Sequence, residues 1–352
     1  MDIDEIYILR CLELARKGLG KTRQNPLVGS VIVYDKKIIG EGYHQNFGGP
    51  HAEVNAINSV KDKTLLPKST LYVNLEPCSH FGKTPPCTSL IKQWKIPRVV
   101  IGSIDTNTGV AGNGIRILRD SGIEVISGIK EKESLFLNRR FYTFHEKKRP
   151  YIILKWAQSE DGFIDIVRKP ENNGKPNWIS NQTGRILVHK WRSEEMAIMA
   201  GTNTIITDDP DLTVRYWFGE NPLRVIPDKN TRLSENFKIF NNKSKTLIFT
   251  SAYKKLISQN IEFFHLPEDQ FSISKMMEEL YKRNILSILI EGGAEILKSF
   301  IDPGMWDEAR VFIGDKPFIE GIKAPVMNIN PVEFFNFNAN QCNIFINNHL
   351  KF

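Results

Sequence analysis

The sequence predicts two successive α/β domains, and three observations carry that prediction. A chain of 352 residues exceeds the usual size of one domain. Strand-length apolar runs alternate with helix-length amphipathic stretches along both halves, the pattern of helices layered on a sheet. Charge also divides: residues 1–149 hold 23 Lys and Arg against 15 Asp and Glu, while 150–352 hold 24 against 25. The change falls beside His145-Glu-Lys-Lys-Arg-Pro150, a polar, basic run closed by proline that reads as a solvated linker. The seam is therefore placed near residue 147, with a first domain over 1–146 and a second over 150–352.

In the first domain the apolar spacing of Ile3 to Arg16 predicts an amphipathic helix. Val28 to Tyr34 and Ile38 to Tyr43 read as a hairpin turning at Asp35-Lys36. Ser69 to Leu75 and Arg98 to Ile101 read as buried strands, alternating with helices that begin near His51, Cys87 and Gly112. That alternation predicts a three-layer α/β sheet. Beyond the seam, strands are expected at Tyr151 to Ala157, Met196 to Ala200, Leu223 to Ile226, Thr246 to Thr250 and Ser287 to Ile290. Helices are expected from Asn181 to Arg192, Ser272 to Arg283 and Ala294 to Phe300.

Composition narrows the class. With 41% hydrophobic and 25% charged residues the chain can build true cores and is neither disordered nor collagen-like. Its longest apolar runs are strand-length, well short of the ~20 residues a bilayer span requires. The start, Met-Asp-Ile-Asp-Glu, lacks the basic and apolar regions of a secretory signal, so a cytoplasmic location without a membrane partner is expected. The net charge of +7 admits an anionic partner without separating nucleic acid from a small phosphate ester.

The chemistry concentrates in two segments, Gly49-Pro-His51-Ala-Glu53 and Glu76-Pro-Cys78-Ser-His-Phe-Gly-Lys-Thr-Pro-Pro-Cys87. In a reducing compartment, spaced cysteines point to metal or catalysis rather than a disulfide. His51, Cys78 and Cys87 supply one imidazole and two thiolates, three of the four corners of a tetrahedral zinc site, leaving the fourth to water as catalytic zinc requires. Zinc lowers the pKa of such a water from 15.7 toward ~7 and so supplies hydroxide at neutral pH. Glu53, two residues after His51, is placed to shuttle the proton. His80 is a competing ligand within the turn-rich insert, whereas Cys11 and Cys342 read as packing residues. His-x-Glu with Pro-Cys and a later Cys is the signature of nucleobase deaminases, although their usual spacing is Cys-x-x-Cys and here eight residues intervene.

Three functions fit these residues. One is deamination of a small pyrimidine; the second is an RNA- or tRNA-editing deaminase with an appended binding domain, motivated by the basic first domain. The third is a nucleotide-binding regulatory protein with a structural metal, in which Glu53 and the open zinc position would have no purpose. The second domain lacks Gly-x-Gly-x-x-Gly, but Glu291-Gly-Gly-Ala294 joins an apolar strand to a helix and could bring backbone N–H groups to a cofactor phosphate.

Further segments sharpen the choice: Asn25-Pro-Leu-Val-Gly29, Gly40-Glu-Gly-Tyr-His44, Asp161-Gly162, Trp178-Ile179, Asp208-Asp-Pro-Asp-Leu-Thr-Val-Arg215 and Glu291-Gly-Gly293. With the long cysteine insert, they make the chain resemble the bifunctional riboflavin-biosynthesis family, a pyrimidine deaminase fused to a reductase. The resemblance covers nearly the whole chain. It implies a cytidine-deaminase-like α/β/α domain followed by a dihydrofolate-reductase-like α/β domain. The first would deaminate 2,5-diamino-6-ribosylamino-4(3H)-pyrimidinone 5′-phosphate, with His51, Cys78 and Cys87 holding one Zn2+ and Glu53 moving the proton. Asn25, Lys83, Asp105 and Asn107 would contact this substrate.

The second would use NADPH to reduce the ribosyl group to ribityl. Ala157, Trp178, Thr204, Asp208 and Gly293 fall at cofactor contacts, and Arg192, Leu212, Arg215 and Glu291 at substrate contacts. Two arginines suit a phosphate monoester, which guanidinium binds bidentately. The chain departs from the family at Pro176, where a hydroxyl residue is usual, and at Lys229, where serine is frequent after Asp228. The implied partner is a small molecule rather than nucleic acid, and a homo-oligomer is allowed for.

Overall fold

The structure is a computed structural model describing residues 2–79, 85–104, 112–168, 177–254, 258–338 and 340–347. The chain divides into two compact units, residues 1–147 and 148–351.

The first unit runs α1 (Ile3–Arg16), β1 (Gly29–Tyr34), β2 (Lys37–Tyr43), α2 (Ala52–Ser59), β3 (Thr70–Leu75), α3 (Cys87–Gln93), β4 (Arg98–Ser103), α4 (Asn113–Asp120), β5 (Glu124–Ser127), α5 (Glu131–Leu137) and α6 (Arg139–Lys147). Its sheet has the order β2-β1-β3-β4-β5, antiparallel through β3 and parallel from there on. The strands are apolar on both faces because both are covered. Val31, Val33, Tyr72 and Val100 pack on Tyr7, Ile8, Cys11 and Leu14 of α1. Ile32, Leu71, Val73, Val99 and Ile101 pack against residues of α2, α3 and α4 on the other side. The three-layer arrangement expected from the alternation is therefore present.

Glycine lets α2 lie close on β2: a Cβ on Gly42 would sit 2.3 Å from the Ala56 nitrogen. The expected polar linker is shorter than its composition suggests, since α6 continues through Lys147. Nor is Arg149 a solvated linker charge. Its guanidinium holds the buried carboxylate of Asp307 at 2.5 and 2.8 Å.

The second unit continues with β6 (Tyr151–Gln158), β7 (Phe163–Asp165), α7 (Gln182–Glu194), β8 (Ala197–Met199), α8 (Thr202–Asp208), β9 (Leu223–Pro227), β10 (Thr246–Thr250) and β11 (Ile261–His265). There follow α9 (Ile273–Lys282), β12 (Ser287–Glu291), α10 (Ala294–Ile301), β13 (Glu308–Ile313), β14 (Ile322–Lys323), β15 (Glu333–Phe337) and β16 (Asn340–Ile346). Nine strands form one sheet in the order β11-β10-β9-β8-β12-β6-β13-β16-β15. All pairings from β11 to β13 are parallel, and β16 and β15 close the edge antiparallel. A sheet of this kind offers a ligand site beyond the carboxyl ends of its parallel strands.

Candidate functional site

In the first unit each candidate metal ligand directly follows a proline: Pro50-His51, Pro77-Cys78 and Pro86-Cys87. The fixed φ of proline sets the approach of the chain at each point. His51 is the N-cap of α2 and Cys87 the first residue of α3. The Cys87 backbone N–H points at Cys78 Sγ, 3.3 Å away. Glu76, just ahead of Pro77, accepts the Gly112 and Gly114 N–H groups at 3.0 and 2.8 Å and so ties this stretch to the start of α4.

His51 Nδ1 lies 3.5 Å from Cys78 Sγ and 3.3 Å from Cys87 Sγ, and the three ligand atoms fall within 4.8 Å of one another. A tetrahedral zinc with ordinary bond lengths has nitrogen-to-sulfur edges of about 3.5 Å. The donor set and its spacing therefore fit zinc. Hydrogen bonding from Cys87, opposed by burial and assisted by His51, brings the Cys78 thiol down to about 4, so a thiolate is already favoured. Cys78 and burial push the Cys87 thiol up.

Glu53 is buried in the first turn of α2. Burial first, and the negative charge on Cys78 second, push its carboxyl up to about 7. Such a group can both accept and release a proton near neutrality. Asn25 is brought to the same place by His44. Its amide nitrogen donates to His44 Nε2 at 2.9 Å, while His44 Nδ1 donates to the Pro50 carbonyl at 3.0 Å. The His44 ring stands edge-on to His51, with centroids 5.8 Å apart. Burial lowers the His44 pKa, in keeping with the neutral ring this relay requires. The Asn25 amide oxygen is thereby turned away from His44. Lys83, Asp105 and Asn107, as well as His80 and Pro176, lie outside the described residues.

The second unit holds a cleft of about 1120 Å³ at the carboxyl ends of β6, β8, β9 and β12. Pockets for drug-sized ligands span about 300–1,000 Å³, so an extended dinucleotide is accommodated. Ala157, Trp178, Thr204, Asp208 and Gly293 line it, as do Arg192, Leu212, Arg215 and Glu291. All nine positions singled out in this domain are thus brought to one cavity. Gly293 donates its N–H to Thr204 Oγ1 at 3.1 Å and fixes the turn between β12 and α10 against α8. A Cβ on Gly293 would meet only Thr204 Oγ1, at 3.7 Å, which leaves open space over the turn for a cofactor.

Glu291 accepts two charge-assisted hydrogen bonds from Arg192, Nε and Nη2, both at 2.8 Å, and Arg192 Nη1 donates to the Thr213 carbonyl at 3.0 Å. Arg192 is thus largely spent inside the protein, while Arg215 stays partly exposed beside Asp211 at 3.6 Å. Leu212, buried in the same segment, adopts a left-handed backbone at φ 51. The segment is wired to α7 twice, through Thr213 to Arg192 and through the Arg215 N–H to His189 Nδ1 at 2.9 Å. Burial, then Arg192 and Arg215, lower the His189 pKa to about 4, consistent with its acting as acceptor. Lys229 sits outside this lining and pairs with Glu268 at 3.0 Å.

Two cleft residues escaped sequence reasoning. Lys155 lies directly across the strand pairing from Glu291, and burial lowers its pKa. The available signal was a lysine inside an otherwise apolar central strand. Arg168 bridges Asp165 and Asp208, at 2.8 Å each, and no pattern in its surroundings foretold this.

A His-Cys-Cys triangle beside a buried glutamate on a three-layer sheet, with a dinucleotide-sized cleft in a second α/β unit, defines a fused zinc deaminase and reductase. Residues 1–103 match the cytidine and deoxycytidylate deaminase zinc-binding region, and residues 150–334 match the RibD C-terminal domain. The riboflavin biosynthesis protein RibD of Aquifex aeolicus is 38% identical over 338 residues, covering 94% of this chain and 92% of that protein. RibD of Escherichia coli is 34% identical, covering 89% and 88%. The crystal structure of a diaminohydroxyphosphoribosylaminopyrimidine deaminase/5-amino-6-(5-phosphoribosylamino)uracil reductase from Thermotoga maritima superposes with a TM-score of 0.88 at 37% identity, covering 98% and 99%. The chain belongs to the RibD family of riboflavin-biosynthesis proteins, bifunctional enzymes that join a deaminase to a reductase and use zinc and NADPH. These matches favour that activity over an RNA-editing deaminase. No helix among the described residues is long and apolar enough to cross a membrane.

Proposed function

We propose that residues 1–146 deaminate a diaminopyrimidine ribosyl phosphate and that residues 150–352 then reduce its ribosyl group to ribityl. The observation that carries this reading is the convergence of His51, Cys78 and Cys87 beside a buried Glu53. In the first reaction water adds to the ring carbon, the C–N bond to the amino group breaks, and ammonia leaves. Zinc held by His51, Cys78 and Cys87 lowers the pKa of the attacking water. Glu53 takes the proton from that water on a carboxylate oxygen and returns it to the departing nitrogen. Its pKa near neutrality suits both directions of transfer. The Asn25 amide, fixed by His44, holds the pyrimidine or ribose; Lys83, Asp105 and Asn107 are its proposed companions.

The second reaction opens the ribosyl ring to a C=N bond and adds two electrons and two protons across it; NADPH supplies the electrons. Ala157, Trp178, Thr204, Asp208 and Gly293 hold the cofactor. Glu291, Leu212 and Arg215 hold the substrate, with the Arg215 guanidinium on its phosphate and Arg192 fixing the Glu291 carboxylate. Lys155 Nζ, made readier to release its proton by burial, protonates the ring oxygen as the ring opens. The reading requires only a small-molecule partner. A cytoplasmic location, where thiols are kept reduced, is part of this reading.

Incubation with the diaminopyrimidine ribosyl phosphate, followed by mass analysis, tests both halves. Without NADPH the product should carry oxygen in place of one amino group. With NADPH it should in addition gain two hydrogens. Unchanged substrate under both conditions would refute the reading.

A further inference from the structure

Arg168 stands where three stretches of the second unit meet. Its Nε lies 2.8 Å from Asp165 Oδ2 at the end of β7, and its Nη1 lies 2.8 Å from Asp208 Oδ1 at the end of α8. Asp165 Oδ1 in turn accepts the Asn177 side-chain N–H at 3.2 Å, which ties in the stretch that carries Trp178. The arginine side chain is only 9% exposed, so one guanidinium largely withdrawn from water serves two carboxylates.

The two carboxylates are close enough to act on each other. Burial pushes the Asp208 carboxyl up, Arg168 draws it down, and Asp165 pushes it up again. Asp165 is also held from behind, because β7 pairs antiparallel with β14. A Cβ on Gly321, directly before β14, would sit 2.3 Å from the Asp165 carbonyl oxygen, so the close approach of the two strands depends on that glycine. Asp165, Arg168, Trp178 and Asp208 all line the cleft, and among its described lining residues cations and carboxylates stand six against six. Loss of Arg168 alone would tip that balance to negative. It would leave two uncompensated carboxylates beside the space that a phosphate-bearing ligand enters.

We propose that Arg168 is a positioning residue of the reductase: it neutralises Asp165 and Asp208 together, and so holds Asp208 and the Trp178 stretch at the cleft without repelling the phosphates of the cofactor. This rests on the assignment of the cleft to NADPH. Arg168 acts through the two acids and not on the cofactor itself. A guanidinium suits the task, since its rigid fork presents donors to two carboxylates at once, whereas an ammonium is a single point of charge. Like charges set beside one another oppose binding, so the effect falls on cofactor affinity and leaves the chemical step alone.

The test is calorimetric binding of NADPH to the full chain, paired with steady-state reduction of the deaminated substrate. Arg168→Gln should weaken NADPH roughly ten- to a hundredfold, in Kd and KM alike, with kcat at saturating NADPH nearly that of the wild type. Adding Asp165→Asn and Asp208→Asn should restore most of the affinity, because no charge is then left to neutralise and asparagine keeps an oxygen at both positions. Arg168→Lys should keep part of it. Thermal melting checks that the variants fold. A loss that persists in the triple variant would mean that Arg168 touches the cofactor directly or only supports the fold, and would overturn the proposal; so would unchanged affinity in Arg168→Gln. Should Arg168→Gln not fold, Asp165→Asn alone decides: binding at least as tight as in the wild type is expected, and weaker binding contradicts it. If the wild type itself binds no NADPH, the cofactor reading of the cleft is wrong and the proposal falls with it.

Discussion

Arg192 and Glu291 meet in the lining of the second unit's cleft as a two-pronged ion pair, both contacts at 2.8 Å and both side chains about nine-tenths withdrawn from solvent. The pair joins α7 to the end of β12, the strand that leads into the glycine turn. Its geometry makes Arg192 a support for Glu291 more than a free phosphate ligand.

Removing one member of a buried pair strands the other charge, which costs about 3–5 kcal/mol. Arg192→Ala should therefore destabilise the second unit by that order and abolish reduction. Urea denaturation of the variant, alongside its deaminase activity, checks this. A loss below about 1 kcal/mol would mean that water solvates Glu291 well enough to replace the pair.

The same pair sets an acid limit. Burial alone would raise the Glu291 carboxyl, but Arg192 and then Lys155 outweigh it and hold the group at about 2, against an ordinary value of 4.5. A carboxyl depressed on folding contributes its full stability above 4.5 and loses it as the pH falls toward 2. Stability of the second unit should decline through that window, and the decline should be shallower in Glu291→Gln. Parallel slopes for the two proteins, measured by denaturation at stepped pH, would remove Glu291 from the cause.

Glu53→Gln keeps the side chain's size and removes its proton-carrying function. Deamination should fall by about 10²–10⁴-fold, the usual worth of general acid–base catalysis, with zinc content unchanged and NADPH-dependent reduction intact. Metal analysis and separate assays of the two reactions distinguish this from a loss of zinc.

Chelation should divide the activities in another way. Stripping zinc should end deamination while reduction of an already deaminated substrate continues, since no described residue of the reductase cleft joins a His/Cys/Asp/Glu group placed for a metal. Loss of both activities on chelation would contradict the assignment of zinc to the first unit alone.

Gly42→Ala tests the packing that holds His51 in place. The added carbon would lie 2.3 Å from the backbone of α2 and would push that helix from the sheet. Overpacking of this kind costs about 1–3 kcal/mol. Thermal melting should show the loss, and zinc affinity should fall with it.

The metal site was legible in the sequence because its chemistry is local: His51 and Glu53 share a turn, and Cys78 and Cys87 flank one insert. Strands buried on both faces, such as β3, β4 and β12, announced themselves as apolar runs. The antiparallel edge did not. β15 is mostly exposed and reads Glu-Phe-Phe-Asn-Phe, and β16 mixes asparagines with apolar residues, so neither shows a clean period. Lys155 was missed for a related reason: its partner Glu291 is supplied by a strand 136 positions away, through parallel pairing that no local pattern encodes. Arg149 looked like linker because its anchor, Asp307, is equally remote.

The account stands most directly on the products of the diaminopyrimidine ribosyl phosphate, measured by mass with and without NADPH. It predicts exchange of an amino group for oxygen in the absence of NADPH, and that exchange plus reduction of the ribosyl group in its presence. A chain with zinc bound that leaves this compound unaltered under both conditions would contradict it.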